Sequence, residues 1–317
     1  MSPRPQSEGL RIDGRIVVIT HPEKVLFPND GITKRELVAY YQRIAATMLP
    51  HLRERPIVMD RYPDGISGQK IFQKNTPSYF PGWISVVALP KKGGIVRHVV
   101  CDEASTLVYL ANQAVITPHA WLSRIDKPTR PDQMIFDLDP SNGDFRAVCK
   151  AAKLLRERLL EEGLTSFVKT TGSRGLHVLV PLNRHANFDT VRTFARRVTE
   201  TFVQIDPEHL TTAVRKDKRK GRIFVDTARN AYAQTAAPAY AVRPRDHAPV
   251  AAPLEWKELD SHQLKPDLYN IRNIFDRLDK MGDPWKDLKQ HAQGLPRGRG
   301  SNGARGVSQK TQLQKNF

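Results

Sequence analysis

Short apolar runs alternate with helical patterns along the middle of this 317-residue chain, and this alternation limits the folds available to it. Runs rich in Val, Ile and Phe predict strands, whereas apolar residues three and four positions apart predict helices. The predicted strands are 16–19, 57–61, 84–89, 134–139, 167–171, 177–182, 223–226 and 240–243. Because helices separate strands of this length, we expect a mixed α+β (α/β) fold around a central sheet.

Three helices are predicted together with their ends. Thr33 and Glu36 have the spacing of a capping box, which predicts a helix that begins at residue 34. A second helix is expected to begin near Asp144, with Gly163 as the residue that follows its last turn. A third is expected over residues 188–202, where apolar residues recur at helical spacing.

The predicted strand 134–139 carries Asp137 and Asp139, which flank Leu138 and therefore point to the same face. Two neighbouring carboxylates repel each other, and a divalent cation such as Mg²⁺ or Mn²⁺ is the usual reason for keeping them together. The alternative is a strand end with two solvated aspartates, and the Asp-x-Asp pattern leaves both open. Asp226 closes the strand 223–226 and gains weight only as a third carboxylate beside this pair.

The segment 169–177 predicts a turn between two strands that could hold a phosphate. Its hydroxyls, the cation of Arg174 and exposed backbone N–H groups would form an anion site, and His177 at the start of the next strand could face the same cavity. The alternative is a tight β-hairpin with polar turn residues. The Walker A pattern is absent.

Net charge points to a polyanionic partner. The chain has 50 Lys and Arg against 33 Asp and Glu, a formal charge of +17. Nucleic acid and an anionic membrane surface are both consistent with this charge, as is a soluble protein with a merely cationic surface. Residues 288–317 carry basic residues, glycines and no acid, so they predict a disordered tail, and residues 1–9 predict another.

Several protein classes are excluded by composition. Cys101 and Cys149 are too few for a disulfide scaffold or a zinc site with several thiolates. No signal peptide is recognisable, and no stretch approaches the roughly 20 apolar residues of a membrane span. We therefore expect a cytoplasmic location without a membrane partner. Three carboxylates, a phosphate-holding turn and positive charge together favour nucleotidyl transfer, because metal-held phosphate chemistry needs all three.

These residues resemble the polymerase domain of bacterial ATP-dependent DNA ligase D, in the archaeo-eukaryotic primase superfamily. The resemblance runs in order from about residue 12 to 287. It is carried by the segments 24–28, 31–34, 49–52, 55–56, 61–65, 72–74, 111–112, 119–121, 136–140, 169–177, 225–226, 243 and 253–256. The family usually has Ser and Lys where Thr171 and Arg174 stand, and often Asn where His21 stands.

The resemblance implies template-dependent addition of nucleotides, NTP or dNTP, to DNA 3′ ends at gaps and overhangs in non-homologous end joining. It implies a primase-polymerase domain over residues 10–287, with an RRM-like catalytic sheet packed against an N-terminal α/β module. The ligase and phosphoesterase domains of the family are missing, so a stand-alone polymerase is expected, with Ku and a separate DNA ligase as partners and the bacterial nucleoid as its location.

The resemblance also implies roles for individual residues. The catalytic and metal-binding residues would be Asp137, Asp139 and Asp226, with two Mn²⁺ or Mg²⁺ ions in the active site. The nucleotide would be bound by Thr171, Ser173, Arg174, His177, Arg243 and His119. The DNA would be bound by Lys24 and Lys34, at the 5′-phosphate of the downstream strand, and by Phe72, near the templating base, and Lys74.

Two other functions remain open from the sequence. A primase would start strands from two nucleotides without a primer. A non-catalytic DNA-end binding module would keep Lys24 and Lys34 but could discard the carboxylates, so the presence of all three aspartates argues against it. On general grounds residues such as Phe72 and Trp121 are more often core residues than stacking platforms, and His119 could be a core histidine whose hydrogen bonds are satisfied.

Overall fold

The computed structural model describes residues 7–296, which form six α-helices and sixteen strands. The helices are α1 Lys34–Leu52, α2 Ala104–Asn112, α3 Phe145–Glu161, α4 Phe188–Ile205, α5 Lys216–Arg219 and α6 Ile274–Met281. The strands of the first half are β1 Ser7–Ile12, β2 Arg15–Thr20, β3 Val25–Phe27, β4 Ile32–Thr33, β5 Pro56–Arg61, β6 Ile71–Gln73, β7 Val86–Lys91, β8 Gly94–Val100 and β9 Val115–Trp121. Those of the second half are β10 Gln133–Asp139, β11 Phe167–Thr170, β12 Leu176–Pro181, β13 Leu210–Thr211, β14 Ile223–Asp226, β15 Thr235–Ala236 and β16 Pro253–Leu254. None of the helices within this part of the chain is long and apolar enough to cross a membrane.

Two six-stranded sheets organise the molecule. Sheet A has the strand order β13-β14-β10-β12-β11-β16, with β10 antiparallel to both of its neighbours. Sheet B has the order β15-β9-β5-β8-β7, and β6 pairs with β5. The strands β1 and β2 form a separate hairpin, as do β3 and β4. The predicted mixed α+β fold is confirmed.

The two faces of sheet A have different surroundings because side chains alternate along each strand. On one face, Phe136 and Leu138 of β10 pack with α3 and α4 in a core of their own. On the other face, Ile135 and its neighbour Leu179 on β12 join the larger core that contains α1 and parts of sheet B. Asp137 alternates with Phe136 and Leu138, so it points to the side that faces sheet B.

The chain passes from sheet A to sheet B directly after Asp226. A short 3-10 helix at Ala228–Asn230 leads into β15, which pairs with β9. The buried amide of Asn230 accepts a hydrogen bond from the Ile135 N–H (2.8 Å) and donates one to the Ile135 carbonyl (2.7 Å). This side chain therefore satisfies the backbone of β10 beside the site, where β14 no longer pairs with it.

Most of the predicted elements are confirmed. The capping box at Thr33 is formed in both directions, Asp144 caps α3, and Gly163 follows its end with a φ of 76°. The predicted strand 84–89 is shifted, since β7 begins at Val86. The predicted strand 240–243 is wrong, because Tyr240 has a φ of 65° and only Val242 in this segment makes a bridge.

The predicted tails differ from the structure where it describes them. Residues 7–9 belong to β1, which pairs with β2. Residues 288–296 are also placed: a 3-10 helix spans Leu288–His291, and the Gln293 side chain donates a hydrogen bond to the Thr165 carbonyl (2.7 Å). Buried Leu288 and these pairings outweigh the basic composition of the segment. The rest of both predicted tails lies outside the described residues, and the domain limits 10–287 stay a prediction.

Candidate active site

Four polar side chains form a row across sheet A. Asp226 on β14 lies opposite Asp137 on β10, which lies opposite His177 on β12, which lies opposite Lys169 on β11. Directly opposed residues in antiparallel strands have Cβ atoms roughly 5 Å apart on the same face. Register alone therefore brings together four residues that are separated by up to 89 positions in the chain. We call Asp226, Asp137, His177 and Lys169 the polar row.

Asp137 is the centre of the polar row and is almost fully buried. His177 Nε2 lies 3.5 Å from Asp137 Oδ1, and Arg229 Nε lies 3.8 Å from Oδ2. Oδ1 has no hydrogen-bond partner within the described residues. Although burial favours the protonated form, the charges of His177, Arg229 and Lys169 hold the pKa of Asp137 below its ordinary value.

Asp139 lies at the end of β10, on the same face as Asp137 and nearer to solvent. Burial and the charge of Asp137 raise the pKa of Asp139 to about 6. The exposed Arg174 opposes this shift through its positive charge. Asp137 and Asp139 thus take up protons at different pH values, because the negative charge of one carboxylate makes it harder to ionise the other.

The part of the chain that the structure describes contains no set of three or more His, Cys, Asp and Glu side chains already arranged around a metal ion. The chemistry of the donors nevertheless fits a hard divalent cation. Asp137 and Asp226 are directly opposed, Asp137 keeps a buried oxygen without a partner, and all the donors are carboxylate oxygens.

The turn Thr171–Gly175 joins β11 to β12 beside these carboxylates. The Thr171 hydroxyl accepts hydrogen bonds from the N–H groups of Arg174 (3.3 Å) and Gly175 (3.2 Å). The sequence predicted that backbone N–H groups of this turn would bind an anion. Those of Arg174 and Gly175 instead bond to the Thr171 hydroxyl. Ser173 and Arg174 are the residues of this turn that reach solvent.

Two glycines allow the turn to fit. Gly172 has a φ of 61°, and a Cβ there would lie 2.8 Å from Arg243 Cγ and 2.9 Å from the Val250 backbone. A Cβ on Gly175 would lie 1.9 Å from the Leu138 carbonyl oxygen. The turn is thus pressed against the end of β10 on one side and against the Arg243 segment on the other.

Arg243 connects the turn to the cleft between the sheets. Its guanidinium donates a hydrogen bond to the Thr171 carbonyl (3.0 Å). Burial and then the charges of Arg243 and Arg229 lower the pKa of His119 in sheet B. Burial lowers the pKa of Arg243, and the charge of Asp137 opposes this shift. His119 and Arg243, both predicted to bind the nucleotide, are therefore close enough to influence each other's protonation, and Arg243 also bonds to the turn at Thr171.

Phe72 lies on β6 and Lys74 directly follows it, so both belong to sheet B. Phe72 is 48% exposed, which excludes the core interpretation for this residue, and its ring meets the edge of the His119 ring at 5.9 Å. Both residues line a cavity of about 610 Å³ that also contains Trp121. Trp121 itself is 3% exposed and packs against His98 and Tyr232, so the core interpretation holds for it.

Lys24 and Lys34 meet at the start of α1, away from the polar row. The Lys34 N–H bonds to the Lys24 carbonyl (2.8 Å). The exposed Lys24 ammonium pairs with Asp64 (2.9 Å), whereas Lys34 is buried and donates to the Thr20 carbonyl (2.7 Å). Burial and then the charges of Lys24 and Arg61 lower the pKa of Lys34 to about 8. A concentration of positive charge at a helix N-terminus favours a phosphate.

Sequence reasoning missed three residues of this region: Lys169, Arg229 and Asp60. Lys169 is 1% exposed, its ammonium has no hydrogen-bond partner within the described residues, and burial together with Arg243 lowers its pKa to about 7. Lys169 stands in the predicted turn segment 169–177, and its pairing with His177 places it on the face of Asp137. Arg229 and Asp60 depend on contacts between distant elements and left no local pattern.

Comparison with known proteins agrees with this architecture. Residues 33–285 match the family described as "LigD, primase-polymerase domain". The chain is 33% identical to the multifunctional non-homologous end joining protein LigD of Mycolicibacterium smegmatis over 272 residues, which cover 84% of this chain and 35% of that protein. It is 35% identical to the LigD protein of Pseudomonas aeruginosa over 276 residues, covering 86% of this chain and 32% of that protein. The chain thus spans about one third of the length of these relatives.

A solved structure is similar over nearly its whole length. The polymerase domain of Mycobacterium tuberculosis Ligase D, in complex with DNA, superposes with a TM-score of 0.82 at 31% sequence identity. The match covers 87% of this chain and 99% of that one.

Proposed function

Because the chain belongs to the family of LigD primase-polymerase domains, nucleotidyltransferases that act on DNA, we propose that it extends DNA 3′ ends with nucleotides selected by a template. The observation that carries this proposal is the direct opposition of Asp137 and Asp226 across β10 and β14, next to the turn Thr171–Gly175. A non-catalytic end-binding module has no need for two opposed, partly buried carboxylates, which repel each other without a cation.

Asp137, Asp139 and Asp226 would hold two divalent cations, Mn²⁺ or Mg²⁺. When bound, the cations supply Lewis-acid stabilisation of phosphate oxygens and make a 3′-hydroxyl easier to deprotonate. Asp137 Oδ1 has no hydrogen-bond partner among the described residues, and burial and the charge of Asp137 raise the pKa of Asp139, so both carboxylates would gain from a bound cation. The charge of the nearby Arg229 favours the ionised form of Asp137, which is the form that binds a cation.

The triphosphate would lie along the turn. Arg174 and Arg243 supply positive charge from its two sides, and Ser173 offers a hydroxyl at the solvent-facing edge. Thr171 acts by shaping the turn through its hydroxyl, which accepts from two backbone N–H groups. Burial and then Lys169 lower the pKa of His177 to about 4, so a neutral imidazole faces the phosphates and adds no further charge.

The DNA would contact the protein at two places. Lys24 and Lys34 at the start of α1 would bind the 5′-phosphate across a gap, while Phe72 would stack near the templating base and Lys74 would contact the backbone. The similarity to a polymerase domain solved with DNA supports this arrangement. By the same similarity to LigD proteins, the setting would be non-homologous end joining in the nucleoid, with Ku and a DNA ligase as partners.

The test offers the protein three DNA substrates with Mn²⁺ and either NTPs or dNTPs. These are a one-nucleotide gap with a 5′-phosphate, a 3′ overhang, and a single-stranded template without a primer. The proposal predicts templated extension of the first two. Synthesis on the unprimed strand alone would identify a primase, and binding without any synthesis would identify a DNA-end binding module.

A further inference from the structure

A buried carboxylate that the proposed chemistry does not use lies in the wall of sheet B. Asp60 on β5 is 2% exposed and lies opposite Phe72 on β6. Its Oδ1 lies 3.0 Å from Lys70 Nζ, and its Oδ2 lies 3.7 Å from His119 Nε2. Burying a carboxylate costs free energy unless hydrogen bonds or opposite charges compensate for it, so the burial of Asp60 needs an explanation.

The surroundings of His119 favour its neutral form. Its side chain is 12% exposed, and burial is the main cause that lowers its pKa to about 4. The ring is therefore neutral at pH 7 and carries one N–H. Because Nε2 faces the Asp60 carboxylate, which can only accept hydrogen bonds, the proton is favoured on Nε2. Nδ1 is then an acceptor, and it is buried without a partner among the described residues.

The position of His119 indicates which part of a nucleotide would use that acceptor. The His119 ring packs near the Phe72 ring (centroids 5.9 Å apart), and the positive charge of Arg243 acts on it. In a nucleotide the sugar lies between the base and the triphosphate. The triphosphate carries only acceptors, and the N–H groups of the base face the template, so the sugar hydroxyls are the remaining donors.

We propose that Asp60 is a positioning residue for sugar selection: it fixes His119 in the Nε2–H tautomer, so that Nδ1 accepts a hydrogen bond from a hydroxyl of the incoming nucleotide. This inference rests on the proposed polymerase function. Lys70 balances the second Asp60 oxygen from the half-exposed side, and it also approaches the Phe72 ring (5.6 Å). The Asp60 carboxylate thus lies between His119, which would contact the sugar, and Lys70, which precedes the strand that carries Phe72.

The tautomer is tested without any catalysis. ¹⁵N NMR of the full chain, with the His119 signals assigned by their loss in His119→Gln, should show the Nε2–H form at pH 7. Asp60→Asn keeps the shape but can donate to Nε2, so the signals should move toward the Nδ1–H form. Asp189→Asn, an exposed aspartate on α4, is the matched control and should leave them unchanged. An Nδ1–H tautomer in the wild type would overturn the proposal, whatever Asp60→Asn does.

Sugar selection is tested on the same variants by steady-state extension with an NTP, its 2′-deoxy form and its 3′-deoxy form. Asp60→Asn and His119→Ala should raise KM by about three- to tenfold for nucleotides that carry the contacted hydroxyl, with little change in kcat and little change for the analogue that lacks it. The double variant should lose no more than His119→Ala alone. Equal losses on all three nucleotides, or additive losses, would contradict the proposal. If the wild type extends no DNA, the polymerase function fails, while the NMR experiment still decides the tautomer.

Discussion

Asp137 and Asp226 face each other directly across the antiparallel pair β10 and β14, on the side of sheet A that faces the second sheet. The strand pairing fixes this relationship, so it does not depend on a flexible loop. His177 stands on the other side of Asp137 in the same register. These carboxylates therefore stand on paired strands rather than on a loop, which is what the positioning of reacting groups requires.

Asp139 makes cation binding dependent on pH. Its pKa is raised to about 6, so below that pH a proton competes with the metal for this carboxylate. We expect Mn²⁺ affinity, measured by EPR titration between pH 5 and 7.5, to rise up to about tenfold per pH unit below 6 and then to level off. Asp139→Asn should bind weakly and lose this dependence. Asp189→Asn should behave as the wild type, and a wild-type affinity independent of pH would rule out the assignment of Asp139.

Lys169 lowers the stability of the folded chain at neutral pH. Its pKa falls from 10.5 to about 7 on folding, so between these values the unfolded chain holds a proton that the folded chain does not. The free energy of unfolding should then rise with pH across this window, by up to about 1.4 kcal/mol per pH unit. Lys169→Met should remove this slope and be most stabilising near pH 7 and below.

Urea unfolding at pH 7 and pH 9 measures this difference. Lys150→Met, at an exposed lysine of α3, is the control and should show the wild-type dependence on pH. If the free energy of unfolding rises equally with pH in both variants, the Lys169 ammonium has a partner in solution that the structure does not show.

Gly175 permits the contact between the turn and β10. Because a Cβ there would lie 1.9 Å from the Leu138 carbonyl oxygen, Gly175→Ala should cost about 3 kcal/mol of stability and displace the end of β10 with its aspartates. Gly82→Ala has open space around the new Cβ and should change stability by less than about 0.5 kcal/mol. Chemical denaturation of both variants tests this, and equal stabilities would show that the turn can move away.

The lysines at the start of α1 should recognise a 5′-phosphate. On gapped DNA, the wild type should prefer a downstream 5′-phosphate over a 5′-hydroxyl, and Lys24→Ala or Lys34→Ala should reduce that preference about three- to tenfold. Asp64→Asn should strengthen binding to the 5′-phosphate, because it releases Lys24 from its ion pair. Fluorescence anisotropy on the two DNAs measures this, with Lys150→Ala as the control. Unchanged ratios in both alanine variants would remove the 5′-phosphate assignment.

The sequence predicted those features that depend on interactions between residues close together in the chain. The capping box at Thr33, the cap at Asp144 and the alternation around Leu138 each follow from interactions within a few residues, and each is confirmed. The pairing of Asp137 with Asp226 could only be proposed by resemblance, since the register between strands 89 positions apart depends on the whole sheet.

Elsewhere tertiary context decided against the local pattern. The apolar run at 240–243 resembles a strand, but Tyr240 takes a positive φ, and its hydroxyl donates to Asp283 (2.6 Å). Residues 288–296 look too polar to order, but Leu288 is buried and Gln293 bonds to the Thr165 carbonyl. Asp60 showed no signal of its own, and the segment 169–177 gave no sign that Lys169 is buried, because the burial of both depends on partners that only the folded chain supplies.

The most direct test of the account is single-nucleotide addition to a gapped, 5′-phosphorylated DNA in the presence of Mn²⁺, followed under single-turnover conditions. Asp137→Asn keeps the volume of the side chain but removes the carboxylate that faces Asp226, so we predict that addition falls at least about a thousandfold while DNA binding stays within about twofold. Asp189→Asn should react at the wild-type rate. Addition by Asp137→Asn at a rate close to that of the wild type would contradict the assignment of this row as the catalytic centre.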